Sequence, residues 1–344
     1  MRLLIVKLSS LGDVVHALPT LAALRRASPD AHIAWLVGPA AAGILAGHPM
    51  LDATFVWRGD ATPAAPHTEA LTSTLALARR LRAQRFDAAL DLQGLLRSAV
   101  LAYLSGARRR VGFRNFQEGA FLFNTERAIS DRKDIHAVFG YLAFAAHLGA
   151  PTDVIEFPFP DSPGAGKRLD ALLAPAAGKP LVALIPDASW PTKRWPTERF
   201  ALVADALADD GAACVIIGGD ASGPAADEIL RRAESHPINA AGRTLLPDLP
   251  ALFRRCALAV ANDSGPMHIA AAVGRPVVAL FGPTSPVRTG PFGDGHAVIR
   301  APVPCLDCHR RRCSDLRCMT GIPVDQVVDA ARRMLRDSPR PPGV

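Results

Sequence analysis

Apolar residues arrive in short runs, each followed by a polar turn and then by apolar positions at helical spacing. Arg2–Lys7 contains a continuous Leu/Leu/Ile/Val run and reads as a buried strand. After the loop Leu8–Gly12, the residues Val14, Val15, Leu18, Leu21, Ala22 and Leu24 follow a helical period. Further strands are predicted at Ile33–Val37, Thr54–Trp57 and Ala88–Asp91. An Arg-rich helix is expected over about Glu69–Gln84, another from Leu95 onward, and a third over His136–His147. Pro- and Asp-rich Gly149–Pro163 and the Ala/Gly/Pro stretch Leu172–Pro180 break this rhythm, which places a linker between Pro151 and Gly178. The rhythm then restarts, with strands at Leu181–Ile185, Ala213–Ile217, Leu258–Ala261 and Val277–Phe281. Helices are predicted at Pro196–Ala208, Ala225–Glu234, Leu249–Arg254 and Pro266–Val273, and from about Val324 to Arg336 ahead of a Pro-rich tail.

Two successive sets of alternating strands and helices predict an α/β protein of two Rossmann-like, doubly wound parallel sheets facing across a cleft. The expected domains are 1–160 and 161–344, and 344 residues suits two domains of ordinary size. A chain that is 49% hydrophobic and 21% charged can bury full cores, which excludes a disordered protein. Met1–Ser10 does not read as a signal peptide, because Lys7 cuts the apolar run and a polar turn follows. No stretch approaches the roughly 18 apolar residues of a membrane span. A soluble, cytoplasmic chain is expected.

The net charge of +7 suggests an anionic partner. All but five of the 39 basic residues are arginine, and they are scattered. No basic face interleaved with aromatics appears, so nucleic acid is not the expected partner. An anionic nucleotide or the anionic inner membrane surface fits the charge equally well.

The chain has no GxGxxG after its first strand, no GxxxxGK[ST], no HExxH and no GxSxG. It also has no Asp-x-Asp pair to clamp a metal-bound nucleotide. Two Rossmann-like domains without these motifs suggest a transferase that grips a diphosphate with protein groups, needing neither cofactor nor metal.

Three loops at predicted strand ends carry chemistry. In Lys7–Asp13, Gly12 permits a tight turn and Asp13 stands at the helix start, as a cap or as a carboxylate base. In Pro186–Pro196, Lys193 lies between Trp190 and Trp195. It can neutralise a leaving diphosphate as a point charge or remain a solvated loop lysine beside packing tryptophans. In Ala261–His268, Pro266 stands at the predicted first helical position, and the N–H groups of that helix start form an anion site, unless the turn is an ordinary cap.

Together these segments resemble glycosyltransferase family 9, the bacterial lipopolysaccharide heptosyltransferases. The matching stretches are Val6–Leu21, Asp91–Leu101, Thr192–Pro196 and Asn262–Pro286, in family order and spread over most of the chain. The first two look closest to heptosyltransferase I, which adds L-glycero-D-manno-heptose to the Kdo of Kdo-lipid A. The resemblance implies the GT-B fold, an acceptor-binding first domain and a nucleotide-sugar-binding second domain. It implies an inverting, metal-independent transfer from ADP-heptose on the cytoplasmic face of the inner membrane, to which the enzyme docks peripherally. Carried over by position, Asp13 is the general base and Lys193 meets the donor. Asp263, Ser264, Gly265, Pro266 and His268 surround the ADP pyrophosphate, Ser189 and Thr192 belong to the phosphate loop, and Thr244 lies near the nucleotide. Ser9, Ser10 and Gly12 accompany Asp13. Ala188 departs from the pattern, standing where heptosyltransferase I carries a second hydroxyl. The alternatives are a heptosyltransferase II or III acting on a heptosylated core, and a non-catalytic nucleotide-sugar-binding protein with the same fold. Arg79–Arg85, Arg97 and Arg108–Arg110 are candidates for acceptor phosphates or anionic lipid, or are solvated helix faces.

Cys305, Cys308, Cys313 and Cys318 have spacings that admit a four-thiolate zinc site, though a reduced or paired loop is expected. Cys214 and Cys256 read as core residues.

Overall fold

The computed structural model describes residues 1–59, 67–114, 118–128 and 135–337, with only the backbone of 67–70. The expected Pro-rich tail lies outside the described residues. The chain divides into two compact units, Met1–Asp161 and Ser162–Val344.

The first unit holds β1 (Arg2–Val6), β2 (His32–Val37), β3 (Ala53–Val56), β4 (Ala88–Asp91), β5 (Arg109–Gly112) and β6 (Glu126–Arg127). They form one sheet in the order β3-β2-β1-β4-β5-β6, with every pairing parallel. The second unit holds β7 (Leu181–Ile185), β8 (Ala213–Ile216), β9 (Ile238–Asn239), β10 (Leu258–Asn262), β11 (Val277–Leu280) and β12 (Ala297–Ile299). Its order is β12-β11-β10-β7-β8-β9, again parallel throughout. Each sheet therefore winds outward in both directions from its first strand, the Rossmann arrangement. In each, the winding reverses between the first and fourth strands, β1 and β4 or β7 and β10. Loops leaving the carboxyl ends of those strands are where such sheets take ligands.

Helices on both faces bury the strands. In the first unit Leu4, Val6, Leu36, Phe55, Leu81 and Leu101 share a core; in the second Val182, Leu184, Val260, Leu280, Phe200 and Val327 do. Burying a side chain of this size stabilises by roughly 1.5–3 kcal/mol. The helix Val324–Asp337 packs on Thr197–Asp209 and on β10, so the last described element closes the second core.

Several predictions are corrected. The helix Ala165–Leu173 lies inside the expected linker. It buries only Ala165 and Leu169, too few apolar positions to give a helical period. The short strand β5 and the edge strands β6, β9 and β12 are not among the predicted strands, being only two to four residues long. Two of the candidate acceptor arginines belong to β5. The Arg109 guanidinium donates to both oxygens of Glu126 at 2.7 and 2.9 Å, and Arg110 donates to the carbonyls of Phe123 and Ala107.

Candidate functional site

In the first unit, the loop after β1 leads into the helix Leu11–Ala27, with Ser10 at the cap position and Asp13 as the third helical residue. Gly12 makes no turn; it is buried within the helix, and the chain is bent by the residues before it. That bend is held from β4's loop, where Gln93 Oε1 accepts the N–H groups of Leu8 and Ser9 at 3.2 and 3.1 Å.

Asp13 gathers four partners. The Ser10 N–H and Oγ–H donate to Oδ2 at 3.1 and 2.9 Å, and the Tyr141 hydroxyl donates to Oδ1 at 2.8 Å. Lys7 Nζ stands 3.8 Å from Oδ1 and 4.8 Å from the Tyr141 ring centroid. Lys7 is almost wholly buried, whereas the Asp13 side chain keeps 29% exposure and is open to an incoming group. Desolvation by itself would raise the carboxyl's pKa. Lys7, His16, the Tyr141 hydroxyl and the Ser10 N–H outweigh it and hold Asp13 well below the usual carboxylate range. The group is ionised at any physiological pH.

Asp91, opposite Val6 in the sheet, behaves in the other way. It is fully buried, and its Oδ1 accepts the N–H groups of Gln93 and Gly94 at 3.1 and 3.0 Å. Its Oδ2 has no hydrogen-bond partner among the described residues. Burial, only partly offset by these hydrogen bonds, by Ser98 and by Lys7, pushes its pKa up to about 6.

In the second unit, the loops after β7 and β10 meet. Asn262 joins them: its Oδ1 accepts the Trp195 N–H at 3.1 Å and its Nδ2 donates to the Pro186 carbonyl at 2.7 Å. Lys193 Nζ lies 2.7 Å from Asp263 Oδ2, to which Thr284 Oγ1 also donates at 2.6 Å. His268 Nε2 is 3.8 Å from Asp263 Oδ1. The helix Gly265–Ala272 begins here with Ser264 at its cap and Pro266 as its second residue, one place later than predicted. Ser264 Oγ is buried without a hydrogen-bond partner among the described residues. The N–H groups at the start of this helix stand beside a lysine that is paired with Asp263, and a helix start of this kind is suited to an anion.

The structure thus brings Ser9, Ser10, Gly12 and Asp13 together in the first unit, and Lys193, Asp263, Ser264, Gly265, Pro266 and His268 together in the second. Ser189 shares the Lys193 loop with its side chain exposed. Thr192 is buried and its hydroxyl donates to the Arg310 carbonyl at 2.8 Å. Thr244 lies half-buried in the bend beyond β9. Of the tryptophans, Trp195 does pack in the core, edge-on to Phe200. Trp190 does not: Lys193 Nζ lies 4.5 Å from its ring centroid and the Arg311 guanidinium carbon 4.8 Å.

Sequence reasoning passed over Lys7, Tyr141, Asp91, Gln93, Thr284 and Arg311. Lys7 and Asp91 carried a usable signal, since each is a charge ending an otherwise apolar strand. Tyr141 and Thr284 carried none, being remote in sequence from the groups they serve.

All six cysteines are free thiols, and Cys214 and Cys256 are buried. Burial pushes the Cys214 thiol up to about 12. Cys305, Cys308 and Cys313 are exposed, and Cys318 is buried. Among the described residues no group of three or more His, Cys, Asp or Glu is arranged to hold a metal ion. Nor is any described helix long and apolar enough to cross a membrane.

The family model described as glycosyltransferase family 9 (heptosyltransferase) matches residues 74–318. The lipopolysaccharide core heptosyltransferase OpsX of Haemophilus influenzae is 29% identical over 310 residues, covering 86% of this chain and 83% of its own. Lipopolysaccharide heptosyltransferase 1 of Pseudomonas aeruginosa is 28% identical over 333 residues, covering 91% and 88%. The solved structure of the Escherichia coli heptosyltransferase WaaC with ADP superposes with a TM-score of 0.75 at 26% identity, covering 97% of this chain and 100% of that one. With its paired Rossmann-like units and a family match across most of its length, the chain belongs to glycosyltransferase family 9 and is an enzyme of the lipopolysaccharide heptosyltransferase type.

Proposed function

We propose that the enzyme transfers L-glycero-D-manno-heptose from ADP-heptose to the Kdo of Kdo-lipid A, with inversion and without a divalent metal. The observation that carries this reading is Asp13: a carboxylate kept ionised by Lys7 and Tyr141 yet exposed on one side, as a base for a sugar hydroxyl must be. In the proposed step, the acceptor oxygen forms its bond to the anomeric carbon as its proton passes to Asp13. The bond from that carbon to the ADP oxygen breaks, and Lys193 with the N–H groups at Ser264–Pro266 stabilises the leaving diphosphate. The second unit is read as the donor domain, because a lysine and a helix start converge there at the strand-order reversal. Support for ADP as the nucleotide comes from the WaaC structure, which was solved with ADP. The acceptor is a lipid, so the enzyme is read as peripheral on the cytoplasmic face of the inner membrane.

A second reading, transfer to an already heptosylated core, is favoured by a relative of another subtype: lipopolysaccharide heptosyltransferase 2 of Escherichia coli is 31% identical over 236 residues. One assay separates the two. Purified enzyme with ADP-heptose is expected to release ADP with Kdo-lipid A and not with a heptosylated acceptor, and to do so in EDTA. Turnover with the heptosylated acceptor alone would assign the second subtype. Loss of activity in EDTA, restored by magnesium, would refute the metal-independent step.

A further inference from the structure

The two cations of the loop after β7 are already matched. Lys193 is paired with Asp263 at 2.7 Å, and Arg194 with Asp187 at 2.8 Å. A diphosphate carries charge on both of its phosphates, so binding it calls for positive charge that no carboxylate has neutralised.

The segment carrying Cys305, Cys308 and Cys313 brings such a charge to this place. It is fastened to the loops of the second unit at three points. Thr192 Oγ1 donates to the Arg310 carbonyl at 2.8 Å, the Asp307 N–H to the Gly282 carbonyl at 3.3 Å, and the His309 N–H to the Pro283 carbonyl at 2.8 Å. Asp307 and His309 adopt φ values of 58° and 54°, in the left-handed region that costs residues other than glycine. The segment is therefore held in a particular shape against Thr192, Gly282 and Pro283, the chain neighbours of Lys193 and Thr284, rather than draped over the surface. Its Arg311 lies over Trp190, the same ring that carries Lys193. Arg311 is exposed, and among the described residues no carboxylate pairs with it. A guanidinium resting on an indole keeps its N–H edge free, in the geometry that grips two phosphate oxygens at once.

We propose that Arg311 is a further diphosphate-binding residue of the donor site, supplying the unmatched positive charge that the Lys193–Asp263 pair does not. This rests on the reading of the second unit as the donor domain.

The test is calorimetric titration of the full chain with ADP and, separately, with adenosine, at low and high salt. Arg311→Gln is expected to weaken ADP binding about tenfold, to leave adenosine binding unchanged, and to flatten the salt dependence for ADP. Arg311→Lys should recover part of the loss, and Arg312→Gln should bind as the unaltered chain does. Because Arg311 is exposed, these variants should melt at the unaltered temperature, which calorimetry on the same samples checks. Equal ADP binding by Arg311→Gln and the unaltered chain would overturn this inference alone. An equal loss for adenosine would also overturn it, reducing Arg311 to a support for Trp190. Failure of the unaltered chain to bind ADP at all would overturn both this inference and the donor-domain reading beneath it.

Discussion

Lys193 reaches from the loop after β7 to Asp263 at the end of β10, closing a 2.7 Å ion pair in which the lysine is 14% exposed and the aspartate 5%. The pair ties together the two strands between which the sheet order reverses. Breaking a nearly buried pair from one side leaves the Asp263 charge with the Thr284 hydroxyl and the more distant His268 ring. Lys193→Met should therefore lower unfolding stability by about 3 kcal/mol, the low end for a buried pair because the lysine keeps some contact with water. Adding Asp263→Asn should restore most of that loss, although neither variant is expected to turn over. Urea denaturation of the single and double variants measures it; stabilities that simply add would mean the two charges do not depend on each other.

The sheets were legible because parallel strands buried on both faces read as unbroken apolar runs, as Leu181–Ile185 does. The short outer strands were not, since Arg109 and Arg110 give β5 the look of a surface loop until Glu126 of β6 is seen beside it. The same division holds for the candidate sites. Residues on the loops that leave β1, β7 and β10 could be found from position and chemistry. Their supports could not: Tyr141 reaches Asp13 across 128 positions, and the Arg310 carbonyl holds Thr192 across 118. Such contacts are products of the fold and leave no local pattern. One misreading had a physical cause of its own. Gly12 suggested a turn, but the bend is held by Gln93 from the loop after the neighbouring strand β4, which leaves the glycine free to be helical.

Asp91 makes a prediction about stability and pH. Its folded pKa of about 6 lies above the ordinary carboxylate value near 3.8, so the folded chain keeps this proton to a higher pH than the unfolded chain does. Its contribution to stability therefore falls as pH rises from about 4 to about 6, by about 3 kcal/mol at most. Asp91→Asn should remove that slope, because the amide oxygen can still accept from Gln93 and Gly94. Unfolding followed at about pH 4 and at about pH 7, beyond the upper end of that window, should show a smaller difference between the two for the variant. An unchanged difference would mean that Asp91 titrates as an ordinary carboxylate.

Lys7 makes a prediction about the acid limb of activity. Its ammonium is one of the groups that hold the Asp13 carboxyl low against the opposing effect of burial. Lys7→Met keeps the length of the side chain and removes the charge, so the Asp13 pKa should rise. On the proposed mechanism, the acid side of the kcat/KM profile then moves to higher pH, while activity near neutrality falls less. A profile that drops uniformly at every pH would show instead that Lys7 is needed for packing beneath Tyr141.

Asp13→Asn addresses the proposed base directly. A sugar hydroxyl is a poor nucleophile, and removing its proton as the new bond forms is worth about 10²–10⁴-fold in rate. The amide matches the carboxylate in shape and keeps one acceptor oxygen, for either the Tyr141 hydroxyl or the Ser10 groups, which now meet two different carboxylate oxygens, but it has no basicity. Turnover should fall by that order, while ADP binding, read as a property of the second unit, should be unchanged. The two measurements must be made together, because each excludes a different account. Normal turnover would reduce Asp13 to a residue that steadies the start of its helix through the Ser10 N–H. Lost ADP binding would place it at the nucleotide, and the base would have to be sought elsewhere. A wild-type rate at high pH alone would point to a third possibility, in which solvent hydroxide takes the proton and the carboxylate acts by charge. The low pKa that Lys7 and Tyr141 impose makes Asp13 a weak base before substrate arrives. On the proposed mechanism this suits the reaction, because the acceptor hydroxyl becomes strongly acidic only as its bond to the anomeric carbon forms, and the proton then moves late.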